Sequence, residues 1–150
     1  MRHFVQGIIS PDEAADLASE VKYLEFTDPR LAGILDAVGA RFPVSLEEPA
    51  YCRVEHKPGG HPWHVDTGTK GHMAWCRYTA GVLLTEPEVD FTGGGFYFHD
   101  APDDPVFHYC DLVTYDDAPE NRHCVASHKG NRRVLIMFFG GKDGTDVRAD

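Results

Sequence analysis

Apolar positions along the chain fall into two regimes. Between residues 10 and 40 they recur every three to four positions, with Ala14, Leu17, Ala18 and Val21 in one stripe and Leu31, Ile34, Leu35 and Val38 in another. That spacing predicts two amphipathic helices, each with one face turned to a core. Ser10-Pro11-Asp12-Glu13 is a strong start for the first: a serine cap, a proline at the first helical position and a glutamate that closes a capping box. Asp28-Pro29 starts the second, whose stripe stops near Gly39. From residue 49 the pattern changes to short β-type runs, predicting strands over 50–57, 63–66, 72–85, 96–99, 106–115, 122–126 and 132–139. An apolar fragment over 4–9 is a further short strand. Pro58-Gly59-Gly60, the stretch 68–71, Gly93-Gly94-Gly95, the stretch 102–105 and Lys129-Gly130-Asn131 punctuate them as turns. The polar tail from Gly140 onward is expected to fray.

Many short strands behind two helices predict a mainly β protein, a jelly roll with helices on its outside. The chain of 150 residues fits one domain, helical over about 1–48 and jelly roll over about 49–140. Composition narrows the function. A formal charge of −10 argues against nucleic-acid partners, which need clustered lysine and arginine, but leaves peptide, protein and small-molecule substrates open. No apolar run reaches the length of a membrane span, and the start of the chain carries no signal-like segment, so a cytoplasmic protein is expected. The four cysteines, Cys52, Cys76, Cys110 and Cys124, form no CxxC pair and are expected to be reduced and mostly buried, rather than a zinc site.

The chemistry concentrates in His61-Pro62-Trp63-His64-Val65-Asp66. On a strand, residues i and i+2 share a face, so His64 and Asp66 can converge on one ion. A second histidine from a distant strand would complete two histidines and one carboxylate on one side of a metal. That set leaves the opposite side open, as in non-haem iron oxygenases. His99, His108, His123 and His128 all lie in the C-terminal half. His123 stands in a predicted strand and is followed nine residues later by Arg132, whereas His128 stands at a predicted turn.

His64-Val65-Asp66, Phe91-Thr92-Gly93-Gly94-Gly95-Phe96, His123-Cys124-Val125 and Gly130-Asn131-Arg132 occur in this order over about three-fifths of the chain. In that combination the segment from Tyr51 to Phe139 resembles the Fe(II)- and 2-oxoglutarate-dependent dioxygenases, in particular their prolyl 4-hydroxylase-like branch. The resemblance implies a double-stranded β-helix of the cupin-like jelly-roll type. It implies iron held by His64, Asp66 and His123, with Arg132 gripping the distal carboxylate of 2-oxoglutarate. A planar guanidinium suits that task because it donates two parallel hydrogen bonds to a carboxylate. O2 is the co-reactant and ascorbate a possible supporting reductant. The expected reaction is hydroxylation of an unactivated C–H bond of a prolyl residue in a peptide or protein, or of a small amino-acid-like molecule. The carboxylate at Asp66 favours hydroxylation, since related halogenases lack it.

The resemblance also locates departures and further candidates. Members often carry a cosubstrate-binding tyrosine before the HxD motif, where this chain has His56, and Tyr51 is a second contributor of that kind. Gly95 stands where members frequently have an acidic residue after the paired glycines. His61, Trp63, Arg77 and Asn121 are candidates for contact with substrate, Asn121 alternatively for orienting the ligands. The competing reading is a non-catalytic cupin-like protein that binds metal or senses a ligand.

Overall fold

The computed structural model describes residues 1–20, 22–56, 59–66 and 73–142. The first helix, α1 (Pro11–Ala18), starts as its capping box requires. The Ser10 hydroxyl accepts from the Glu13 amide at 3.1 Å, and the Glu13 carboxylate accepts from the Ser10 amide at 3.0 Å. Asp28 caps a single 3-10 turn (Pro29–Leu31) that runs directly into α2 (Ala32–Gly39). Arg30 then ties the two helical segments together through Asp16, Glu20 and Asp28.

Eleven strands follow one another among the described residues: β1 (Arg2–Val5), β2 (Tyr23–Leu24), β3 (Tyr51–Glu55), β4 (His61–His64), β5 (Tyr78–Leu83), β6 (Phe91–Gly93), β7 (Phe96–Phe98), β8 (Leu112–Asp116), β9 (His123–Val125), β10 (His128–Gly130) and β11 (Val134–Phe139). A six-stranded sheet has the order β1-β8-β5-β11-β3-β2. Facing it are a three-stranded sheet, β4-β9-β7, and the two-stranded ladder β10-β6. Every pair of these strands is antiparallel. This is a jelly roll, the double-stranded β-helix arrangement.

Period-two alternation divides the large sheet into two chemistries. Cys52, Val54, Ala80, Val82, Leu112, Leu135, Met137 and Phe139 turn outward and pack beneath Ala14, Leu17, Leu31, Ile34 and Val38 of the helical segments. The intervening residues turn inward. The register across β3, β11, β5 and β8 sets them in rows: Tyr51, Phe138, Thr79 and Tyr115 in one, Arg53, Ile136, Gly81 and Val113 in the next. β11 is apolar at all six positions because it is covered on both faces.

Four elements depart from the sequence pattern. The N-terminal part is not wholly helical, because β1 joins the large sheet against β8. The predicted strand over 106–115 is broken: Cys110 has φ +66°, an isolated bridge joins Tyr109 to Leu83, and the continuous ladder begins only at Leu112. His128–Gly130, read as a turn, is β10, with Gly130 at φ +100°. β4 ends at His64, so Asp66 lies past the strand that was expected to carry it. The loop segment 67–72 and the tail 143–150 lie outside the described residues.

Two substitutions test this architecture by urea unfolding. Ser10→Ala should lower stability by about 1 kcal/mol through loss of the cap. Leu135→Ala, which opens a cavity under the helices, should lower it by about 2–5 kcal/mol.

Candidate metal centre and adjoining cavity

β4 and β9 pair so that His64 stands directly opposite His123. Cross-strand neighbours have Cβ atoms about 5 Å apart, so the pairing alone brings the two rings together. Their centroids are 4.3 Å apart. The chain leaves β4 after His64 and delivers Asp66 between the two imidazoles. Asp66 Oδ1 lies 3.4 Å from His64 Nε2 and 3.4 Å from His123 Nε2. Among the described residues, these three form the one group of donors close enough together to hold a metal ion.

Each donor is oriented from behind. The Nδ1 atom of His64 lies 2.7 Å from the Pro62 carbonyl, and that of His123 lies 2.8 Å from the Asn121 carbonyl. A carbonyl only accepts, so both Nδ1 atoms donate and both Nε2 atoms are left turned toward Asp66. Asp66 Oδ2 accepts from the Thr79 hydroxyl at 2.8 Å and the Tyr115 hydroxyl at 2.9 Å. That consumes one carboxylate oxygen and reserves Oδ1 for the space between the imidazoles. Burial by itself would raise the Asp66 pKa, but the hydrogen-bonding groups around it, His123 foremost and then His64, hold the carboxyl well below the usual range. Burial and the Asp66 charge push the Tyr115 phenol up, so it stays a donor. Two imidazole Nε2 atoms and one carboxylate oxygen thus converge on one point, a set of nitrogen and oxygen donors. The donor set therefore fits a divalent metal.

The ligand face opens into a cavity of about 420 Å³ whose walls include Tyr51, Arg53, Glu55, Phe96, Val125, Ile136 and Phe138. Phe96 stacks on the His123 ring at 4.9 Å. A smaller recess lined by Arg132 adjoins this cavity and shares Glu55, Phe96, Tyr115, Val125 and Ile136 with it. Arg132 Nε donates to the Gly94 carbonyl at 3.1 Å. Gly94 has φ +74°, and a Cβ there would stand 2.8 Å from Arg132 Cδ, so the glycine is needed for the close approach. Burial lowers the Arg132 pKa to about 10, with Glu55 the opposing influence. A cation desolvated to that degree fits an anionic ligand in the recess.

The remaining sequence candidates divide. Tyr51 and His61 line the cavity, and the His61 ring lies 3.8 Å from that of His64. His56 does not: it is exposed past the end of β3, and by parity it belongs with Val54 on the face turned away from the cavity. Trp63 packs edge-on against His99 instead of the cavity. Arg77 is engaged by the carbonyls of Ala74 and Cys76 and by Asp117 at 3.6 Å. Asn121 is buried, and its amide holds Met1 and Asp116, so it acts on His123 rather than on substrate. His99, His108 and His128 take no part in the donor group. Sequence reasoning missed Thr79 and Tyr115, the supports of Asp66, and Glu55. Only the alternation of β5 and β8, once their register is known, marks the first two as inward-facing.

The fold is that of the prolyl hydroxylases within the 2-oxoglutarate- and iron-dependent oxygenases. A viral collagen prolyl hydroxylase from Paramecium bursaria Chlorella virus 1, solved as a 2-oxoglutarate complex, matches with a TM-score of 0.64 at 13% identity, over 92% of this chain and 93% of that one. A Pseudomonas putida prolyl-4-hydroxylase matches at 0.64 with 16% identity, over 93% and 92% of the two chains. A Trichoplax adhaerens prolyl hydroxylase, in complex with a peptide fragment of the hypoxia-inducible factor oxygen degradation domain, matches at 0.65 with 12% identity, over 99% and 87%. No protein-family model and no curated protein matches the sequence.

If Tyr115 and Thr79 orient the carboxylate, Tyr115→Phe and Thr79→Val should each weaken binding of a divalent metal about 10- to 100-fold, measured by calorimetry.

Proposed function

We propose that this chain is an Fe(II)- and 2-oxoglutarate-dependent dioxygenase that hydroxylates an unactivated C–H bond of a prolyl residue or an amino-acid-like substrate. The observation that carries the reading is the pairing of two features in adjoining pockets that share the walls Phe96, Tyr115, Val125 and Ile136: the His64, Asp66 and His123 donors in one and the buried Arg132 guanidinium in the other. A metal and a dicarboxylate together satisfy both. His64, Asp66 and His123 would hold the iron, and Arg132 would take the distal carboxylate of 2-oxoglutarate through its guanidinium fork. When bound, iron, 2-oxoglutarate and O2 supply the oxidising chemistry, one oxygen atom entering the substrate and the other succinate, with release of CO2.

The chain's own residues supply geometry. The Pro62 and Asn121 carbonyls keep both imidazoles in the tautomer that presents Nε2. Thr79 and Tyr115 donate to Oδ2 of Asp66 and leave it one oxygen with which to ligate. Phe96, Val125 and Ile136 give both the cavity at the donors and the recess at Arg132 an apolar wall. The Trichoplax relative's peptide complex supports a peptide or protein as one substrate class. No helix among the described residues is long and apolar enough to cross a membrane. A cytoplasmic setting is part of this reading, and burial pushes the Cys52 and Cys76 thiols up to about 12, which keeps them unreactive. The machinery is assigned to one domain over residues 1–150.

Protein incubated with Fe(II), ascorbate and 2-oxoglutarate should form succinate slowly without substrate, and His64→Ala or Asp66→Ala should abolish this. Metal binding without any binding of 2-oxoglutarate, read by calorimetry, would sink the oxygenase reading in favour of a metal-binding sensor. Arg132→Ala should weaken 2-oxoglutarate binding by about 2–5 kcal/mol, roughly 30-fold or more. In the wild-type protein that affinity should decline as pH rises through about 10, where Arg132 loses its proton, and hold steady below it. An affinity for 2-oxoglutarate unchanged by Arg132→Ala removes the clamp assignment.

A further inference from the structure

The cavity holds two charged side chains that the reaction above leaves unused. Arg53 and Glu55 alternate with Cys52 and Val54 on β3, so both turn inward while their neighbours pack under the helices. Both line the 420 Å³ cavity in front of the metal ligands. Arg53 Nη2 donates to Glu55 Oε2 at 2.7 Å, and the two side chains are 36% and 28% exposed. Arg53 Nε is buried and has no hydrogen-bond partner among the described residues. Around the pair the wall is apolar and aromatic. Tyr51 meets Phe138, Trp75 and Tyr23 edge-on, at 5.3, 6.0 and 5.5 Å between ring centres.

A half-buried ion pair in such a wall contributes little to stability compared with apolar residues of the same volume. Its value lies in what it can bind. The register sets Arg53 opposite Ile136, in the cavity at the donors, and Glu55 opposite Val134, where it also lines the recess that holds Arg132. A ligand here lies alongside the cosubstrate, with its apolar part against Tyr51 and Phe138. A substrate carrying a carboxylate and an ammonium on adjoining atoms replaces one internal ion pair with two, the carboxylate on Arg53 and the ammonium on Glu55. The interior of a peptide carries neither charge.

We infer that Arg53 and Glu55 form the specificity site for the charged end of a free amino or imino acid, so that the hydroxylated substrate is an amino-acid zwitterion rather than an internal prolyl residue. This rests on the reading of the metal centre given above. The aromatic rim favours a compact apolar side chain or ring, L-proline being the simplest probe.

Calorimetry on the protein loaded with Mn(II) and 2-oxoglutarate, which measures binding without turnover, tests it directly. The ligands are L-proline, the other proteinogenic amino acids, N-acetyl-L-proline amide, a peptide with internal proline and a peptide ending in proline. At least one free amino acid should bind, and its N-acetylated amide should bind 10-fold or more weakly. Arg53→Met should weaken the amino acid 10-fold or more, with Arg53→Lys recovering part of the loss. Glu55→Gln should discriminate less between the amino acid and its N-acetyl derivative. Should Arg53→Met unfold, the double variant Arg53→Met with Glu55→Met removes both charges together and carries the same expectation. Binding of the internal peptide with no free amino acid bound overturns the inference while leaving the oxygenase reading intact. Binding of only the proline-ended peptide overturns the ammonium half and keeps the carboxylate half. Amino-acid affinity unchanged by Arg53→Met overturns it outright. Failure of 2-oxoglutarate itself to bind is the separate failure of the oxygenase reading.

Discussion

Asp66 is the joint between the two sheets. It follows β4 of the small sheet, yet its Oδ2 is held by Thr79 on β5 and Tyr115 on β8 of the large one. Those two residues face each other across the β5–β8 register, so a single carboxylate reads the alignment of two strands. Its second oxygen meets histidines aligned by a different register, that of β4 with β9. A slip of one residue in either pairing would turn a ligand or its support to the opposite face. The candidate metal centre therefore depends on both sheets being correctly paired, and the helices matter to it because they bury the outer face that fixes the large sheet.

Alternation does the rest of the positioning. The outward residues of β3, β5, β8 and β11 named above are apolar, from Cys52 and Val54 to Met137 and Phe139, and they form the core beneath α1 and α2. The inward ones carry the polar and aromatic chemistry of the cavity. The functional surface is thus one face of a sheet whose stability is supplied by the other. Substituting inward residues changes chemistry at limited cost to folding, whereas the outward set tolerates little.

Much of this was legible in the chain. The capping box at Ser10, the helical stripes and the closeness of His64 to Asp66 rest on local spacing, and local spacing survives folding. His123 and Arg132 were nominated through the resemblance, and it is the register of β4 with β9 that sets His123 opposite His64. What could not be read depends on partners distant in sequence. His128–Gly130 looks like a turn by composition, and becomes a strand only because β6 lies alongside it. Cys110 interrupts an apolar run through a left-handed backbone that its residue type does not announce. His56 fitted a count along the chain but failed on parity, since β3 turns Tyr51, Arg53 and Glu55 inward and the next residue away. Thr79 and Tyr115 resemble ordinary strand residues until the register sets them under Asp66.

The close approach of Gly94 to Arg132 has a wider consequence. The guanidinium is seated by the β6 turn and the start of β11, while the three donors come from β4, its trailing loop and β9. The turn does not end there: two residues after Gly94, Phe96 stacks on the His123 ring, and β7 pairs with β9. One short backbone segment therefore touches both the guanidinium and a candidate ligand, so a change of residue in this turn is transmitted to both.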